Sequence, residues 1–470
     1  MSASFHYTVT KGLFINKQLY RFSERLTRLV NLSKKRAANF LTIPKTIQSD
    51  EGAWAKHMIK RRYDVVFTVM RPFFRLYTRL AYAYRALPAP ILPKGEPALI
   101  LSNHNAALDP FFLALSFRRP IFFVASDHIF RLGLVSRIIR YLVAPIPIVK
   151  SQMDLRTLRQ IRETIRDGGL VGLFPEGNRS FHGRTMFIPP STGKLVKQLG
   201  CTVLLYRLDG GYLTSPRWAI RRRKGFLQGQ VVRRIDPAEL ARLSPDEIFR
   251  IMSEALDVDA FAWQRKKKIP YKGRLLAEGL ERTLFVCPKC RGLATLTGCK
   301  DLFSCACGLS VRYTTLGFFS PCDDWSRLQE ENGTFLDNVS AWDTWQRAEL
   351  PGILFAPGAA SEQACLQDAK QKLVSTERAS RSHVLASGNL QLFRDQLVFD
   401  STDGQPKRAF PLLSISRMIV HGPQTLQFTT RDNQVWEVRS KTVRSAYKYL
   451  LVFQLLQQHL KGEPYGFFGI

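Results

Sequence analysis

Between residues 88 and 262, short apolar runs alternate with stretches of helical periodicity. "PALILS", "PIFFVA", "LVGLF" and "CTVLLYRL" are strand-like, and each is nearly apolar throughout, as a strand buried on both faces must be. Between them, "PFFLALSF" and "STGKLVKQLG" read as helices. So does the run after Asp154, with Leu155, Leu158, Ile161 and Ile165 on one face and Gly168-Gly169 as its stop. Ser244-Pro245-Asp246-Glu247 has the form of a capping box and opens another helix. Parallel neighbours require a crossover connection, so this alternation predicts an α/β fold: a mainly parallel sheet flanked by helices.

Loops that leave parallel strands gather at the carboxyl edge of the sheet, where ligands bind. Two polar clusters occupy such positions. "LSNHNAALDP" places His104 two residues beyond "PALILS", with Asp109 five positions on. "FPEGNRS" follows the buried run "LVGLF" directly. A histidine neutral near pH 7 can take a proton from a hydroxyl, and a carboxylate beside it fixes the tautomer. Asp109-Pro110 also fits the N-cap and N1 positions of a helix. The two roles are compatible, because a carboxylate has lone pairs for both. Arg179 offers a planar fork suited to phosphate, and Gly177 permits a tight turn. No G-x-S-x-G elbow precedes the histidine, so a covalent acyl-enzyme is not indicated.

"NHNAALD" resembles the H-x4-D block of the glycerolipid acyltransferases of the lysophosphatidate acyltransferase type. "FPEGNRS" resembles their F-P-E-G-T-R-S block, with Asn178 in place of Thr. "FFVASDHIFRLG", ending in "PIPIVK" at Lys150, looks like the intervening block. The likeness covers residues 60 to 262. It implies acyl transfer from acyl-CoA or acyl-carrier protein to the free hydroxyl of a lysophospholipid, 1-acylglycerol-3-phosphate giving phosphatidate. Glycerol-3-phosphate or another lysolipid is the alternative acceptor. By the same resemblance His104 is the general base and Asp109 its orienting partner. Glu176, Gly177, Arg179 and Lys150 bind the acceptor. The later stretch "VLLYRLDGGYLTSPRW" departs from the family, whose V-P-V-like strand carries a proline there.

Residues 1–87 carry 17 Lys and Arg against 4 Asp and Glu. The whole chain has 69 against 38, a net charge of +31. Such a field suits an anionic membrane surface or nucleic acid. Pro72 can open an amphipathic helix, "PFFRLYTRLAYAYRAL", with Phe73, Leu76, Tyr77, Leu80 and Tyr84 at helical spacing and Arg75 and Arg79 on another face. No run is long and apolar enough for a transmembrane helix, and the N-terminus lacks a secretory h-region. These features point to a peripheral, monotopic protein on the cytoplasmic side of the cell membrane.

Residues 263–282 read as a basic linker. In 283–315, Cys287, Cys290, Cys305 and Cys307 follow a spacing that resembles a zinc ribbon: C-x2-C, a spacer of 14 residues, then C-x-C, with Cys299 spare. Four thiolates would hold structural zinc and leave no open position for catalysis. Residues 316–380 form a connecting region. Residues 381–465 show short alternating runs and one terminal helix, a pattern that resembles a pleckstrin-homology-like or GRAM-like domain. The rival class is a zinc-ribbon nucleic-acid-binding protein; dispersed basic residues and the missing aromatic RNA-binding signature count against it.

Overall fold

Every residue of Ala98–Ser102 is buried because both faces of that strand are covered. Leu99 and Leu101 join Val171, Leu173, Val203 and Leu205 in one core, while Ala98 and Ile100 join Leu170, Leu204 and Tyr206 in a second. The two-residue period of a strand splits one apolar run between two cores in this way. The computed structural model describes residues 59–126, 134–148, 155–356, 363–376 and 383–466. The basic stretch before residue 59, Lys150 and the Asp154 cap lie outside the described residues.

The first sheet is built from Tyr84–Ala86 (β1), Ala98–Ser102 (β2), Ile121–Ser126 (β3), Ile146–Ile148 (β4), Leu170–Leu173 (β5), Thr202–Asp209 (β6) and Leu227–Ile235 (β7). Its order is β1-β7-β6-β2-β5-β3-β4. Neighbours are parallel except β6 and β7, which are antiparallel. The sheet is therefore mixed. Beyond β6 the chain makes only the four-residue helix Gly211–Thr214 and a loop, with no crossover to carry it back, so β7 returns in reverse. In register, Leu101 faces Leu173 and Ser102 faces Tyr206, so β2 and β5 end within a residue of each other while β6 runs on to Asp209.

Among the flanking helices, Arg61–Tyr82 (α1) contains Pro72 in its interior rather than at its start. The missing N–H and ring clash fall on the helix's exposed side. Packing on either side of the proline sustains the helix: Tyr63 meets Phe122 edge-on, and Tyr82 meets Phe112. Asp109–Ala114 (α2), Leu134–Val143 (α3), Leu155–Arg166 (α4), Ser191–Leu199 (α5), Gly211–Thr214 (α6), Pro237–Arg242 (α7), Pro245–Leu256 (α8) and Ala260–Lys267 (α9) follow. The capping box at Ser244 forms as its sequence requires.

A second, four-stranded antiparallel sheet comprises Leu296–Cys299 (β8), Leu302–Cys305 (β9), Ser310–Tyr313 (β10) and Phe319–Pro321 (β11). Asp324–Glu331 (α10) and Val339–Leu354 (α11) come next. Phe303, Val311, Tyr313 and Phe319 share one core with Tyr212, Trp218 and Phe261. The stretch read as a linker is packed: buried Tyr271 donates its hydroxyl to Phe226 O at 2.7 Å and its N–H to Thr315 O at 2.7 Å.

The third sheet has seven antiparallel strands: Leu366–Thr376 (β12), His383–Leu392 (β13), Gln396–Ser401 (β14), Arg408–Pro411 (β15), Ile415–His421 (β16), Thr425–Thr430 (β17) and Val435–Ser440 (β18). Two meanders, β12 to β15 and β16 to β18, join where β12 pairs with β18. Ala446–Lys461 (α12) supplies Tyr447, Leu450, Leu451 and Leu455 to the core of this sheet. Strand β12 falls inside the region read as a connection. Lys370 adopts a positive φ of 58° and the register shifts between Asp368 and Gln371, which breaks the alternation that marks a strand.

Candidate active site

His104 leaves the end of β2, and its Nδ1 lies 2.8 Å from Asp109 Oδ2. The same carboxylate oxygen accepts the backbone N–H groups of Asn105 at 2.6 Å and Ala106 at 2.8 Å. Asp109 is fully buried and its Oδ1 has no partner among the described residues. It is not the helix cap. Leu108 holds the N-cap position, and the N–H groups of Phe111 and Phe112 go to Leu108 O at 2.9 and 3.0 Å. The carboxylate turns back over the loop that precedes it, because that loop presents three donors.

With Nδ1 donating to Asp109, Nε2 is the basic nitrogen of the imidazole. No described group bonds Nε2, and the side chain is 21% exposed. The ring stacks on Phe174, centroids 4.5 Å apart. Burial pushes the imidazole below its ordinary value, Asp109 opposes this, and the charges of Arg179 and Arg217 add to the lowering. The ring is therefore neutral near pH 7, the form that accepts a proton.

The second block is sewn to the first. Glu176 Oε1 accepts from His104 N and Oε2 from Met186 N, both at 2.6 Å. Ser180 N donates to His104 O at 2.9 Å. Gly177 has φ +65°, a conformation that favours glycine. The two oxygens of Glu176 are thus occupied by the protein's own backbone. Glu176 braces the loop, which differs from the acceptor contact that the resemblance implies. Burial pushes its carboxyl up to about 8, against the hydrogen bonds from Met186 and His104 and with the Asp109 charge. Glu176→Gln leaves one of two buried N–H groups facing an amide donor. It is expected to lower stability by about 1–3 kcal/mol, read as the shift of a urea midpoint, and to lower kcat as His104 loses its anchor.

The Arg179 guanidinium makes no hydrogen bond or ion pair with any described residue, and the side chain is half-buried near Asp109's charge. Asn103 and Asn105 were not legible as site residues. Asn103 Nδ2 donates to Leu208 O at 3.0 Å and its Oδ1 accepts Leu208 N at 2.8 Å; Asn105 Nδ2 donates to the same carbonyl at 3.3 Å. They clamp the histidine loop to the end of β6, a contact with no local sequence signal. Gly211 lies against this loop, where an added Cβ would sit 3.3 Å from that of Asn105.

In the cysteine sheet, the Sγ atoms of Cys287, Cys290, Cys305 and Cys307 lie within 4.8 Å of one another. Cys287 and Cys307 are 3.6 Å apart, Cys290 and Cys305 3.8 Å. Four thiolates at about 2.3 Å from a tetrahedral zinc are about 3.8 Å apart, so this donor set fits that ion. Cys299 is exposed at the far end of the β8–β9 hairpin and takes no part.

Residues 89–205 match the Acyltransferase family model. Over 129 residues the chain is 25% identical to a 1-acyl-sn-glycerol-3-phosphate acyltransferase of Borreliella burgdorferi, covering 26% of this chain and 51% of that protein. The chain thus spans about half the length of that relative. Among solved structures it is similar to the 1-acyl-sn-glycerophosphate acyltransferase PlsC of Thermotoga maritima, at 22% identity, covering 42% of this chain and 81% of that one with a TM-score of 0.36.

Proposed function

We propose, from the acyltransferase match over residues 89–205, that the chain is a glycerolipid O-acyltransferase. It would move a fatty acyl group from acyl-CoA or acyl-carrier protein to the free hydroxyl of 1-acylglycerol-3-phosphate, giving phosphatidate. The observation that carries this is His104, fixed by Asp109 at Nδ1 with Nε2 open, beside an Arg179 without internal partner. Nε2 takes the hydroxyl proton as the oxygen attacks the thioester carbonyl. Asp109 stabilises the imidazolium that forms. On collapse the thiolate leaves and takes the proton from Nε2. Arg179 receives the acceptor's phosphate, Gly177 shapes the turn that brings the backbone close, and Glu176 holds both blocks in register. Lys150 we retain as an acceptor contact on the resemblance alone. The test is purified protein with radiolabelled long-chain acyl-CoA and lysophosphatidate: no phosphatidate from the wild type would sink the reading.

We also read α1 as resting on an anionic membrane surface, with the protein peripheral on its cytoplasmic side. Val65, Val69, Phe73, Leu76 and Leu80 are all exposed by more than half and recur at helical spacing, with Arg75 and Arg79 beside them. Among the described residues no helix is long and apolar enough to cross a membrane. Replacing Val69, Phe73, Leu76 and Leu80 with serine is expected to cut sedimentation with phosphatidylglycerol vesicles by at least 10-fold, at about 0.8 kcal/mol per buried methylene. Unchanged sedimentation would remove the helix from the interface. The cysteine sheet we read as a zinc ribbon, with Cys287, Cys290, Cys305 and Cys307 as ligands and a structural role for the ion. The third sheet, with its two meanders and terminal helix, we read as a PH-like or GRAM-like domain.

A further inference from the structure

The chain that leaves the "FPEGNRS" loop runs straight into the core of the C-terminal sheet. Phe181 is buried in one cluster with Val420, Leu426 and Val438 of that sheet. It stacks on Tyr447 of α12, with ring centroids 4.2 Å apart. Over the same phenyl ring lies the guanidinium of Arg217, 3.9 Å from its centroid.

Arg217 comes from the loop between α6 and β7 and is 5% exposed. Its donors divide between two parts of the molecule. Nε donates to Gly422 O at 2.8 Å and Nη2 to Val420 O at 2.6 Å, at the end of β16 and the turn toward β17. Nη1 donates to Arg179 O at 3.2 Å and to Asn178 Oδ1 at 3.4 Å. No described carboxylate pairs with it. A buried cation without a counter-ion is costly, and here carbonyl dipoles from two separate elements hold it. Its seat exists only while the C-terminal sheet is docked on the loop.

We infer that Arg217 is a positioning residue that makes the C-terminal sheet part of the acceptor site: it fixes the Asn178–Arg179 backbone against the β16–β17 turn and so aims Arg179 at the acceptor's anionic group. The inference rests on the acyltransferase reading above. Arg217 is not itself the anion ligand, since its guanidinium is buried and donates four hydrogen bonds to protein oxygens. Its charge also adds to the lowering that keeps the His104 imidazole neutral. A residue that merely glued two domains would affect every acceptor alike. One that acts through Arg179 affects the phosphorylated acceptor selectively.

The experiment uses the full chain with radiolabelled long-chain acyl-CoA and two acceptors, 1-acylglycerol-3-phosphate and uncharged monoacylglycerol. The variants are Arg179→Ala, Arg217→Ala, Arg217→Lys, Gly422→Val and the double alanine variant. Arg217→Ala is expected to raise KM for the phosphorylated acceptor about 10-fold or more, with kcat changed less than about 3-fold and the monoacylglycerol rate nearly unaffected. Arg217→Lys keeps the charge but not the fork, and falls between. Combined with Arg179→Ala, the loss of Arg217 adds nothing further to KM.

Gly422→Val acts from the far side. Gly422 has φ +56° and no atom within 4 Å of an added Cβ, so the substitution moves the turn's backbone rather than clashing with the site. It raises the same KM, and it carries the comparison together with Arg217→Lys if the alanine variant fails to fold. Equal loss with both acceptors, or additive effects in the double variant, would overturn the inference while leaving the acyltransferase reading intact. A wild type that acylates neither acceptor overturns both.

Discussion

Replacing His104 with alanine is expected to lower kcat by about 10²–10⁴-fold, the usual worth of a positioned general base, with little change in thermal midpoint. The ring's one side-chain hydrogen-bond partner among the described residues is Asp109, whose oxygen keeps two backbone donors after the substitution. Asp109→Asn gives a loss of similar order, because an amide can donate to Nδ1 and favour the wrong tautomer. It also strips the acceptor shared by Asn105 and Ala106. The pH profile carries the sign. Activity needs the neutral ring, whose value burial holds below 6.5. The acid limb of kcat/KM therefore lies below pH 6.5, and activity falls as pH drops through it. Asp109, Arg179 and Arg217 are the charged groups that act on the ring. Removing Asp109's charge moves the limb lower; removing Arg179's or Arg217's moves it higher. Wild-type rates from His104→Ala would take the histidine out of the mechanism.

Stripping zinc with a strong chelator, or replacing Cys287 with serine, is expected to destabilise the protein by about 3 kcal/mol or more. Strands β8 to β11 do not close a core of their own: Phe303, Val311 and Phe319 pack with Tyr212, Trp218 and Phe261, so loss of a metal held by the four cysteines would open a core shared with residues that flank the first sheet. Activity should fall along with the thermal midpoint, although the cysteines lie apart from His104. Cys299→Ser is the control, being exposed and outside the cluster. Metal analysis should find one zinc per chain. Its absence, with an unchanged midpoint in Cys287→Ser, would remove the ribbon.

Strand identity was legible for β2, β3, β5 and β6, whose apolar runs are nearly unbroken; β1 was not, since Tyr84 falls at helical spacing with the residues of α1 yet lies buried in a strand, and neither were β4 and β7. Helix ends with a complete local signal were equally legible, as at Ser244 with Glu247. Strand β12 was not, because its bulge at Lys370 breaks the period. Nor was the run of α1 through Pro72, where packing outweighs a local stop signal. The clustering of the four cysteines was legible from spacing alone, because they form two pairs, each close in sequence.

Local sequence thus determined four strands of the first sheet, which two strand ends carry reactive groups, and which thiols cluster, since each depends on periodicity or spacing within a few tens of residues. Tertiary structure decided what those groups do to one another. Asp109 could be cap or partner until the loop at Asn105 and Ala106 offered it donors. Glu176 could be ligand or brace until both its oxygens met backbone N–H groups from different segments. Arg217 had no role until the C-terminal sheet brought Val420 and Gly422 to it. A hydrogen bond between distant segments leaves no trace in the composition around either end, so only the fold reveals it.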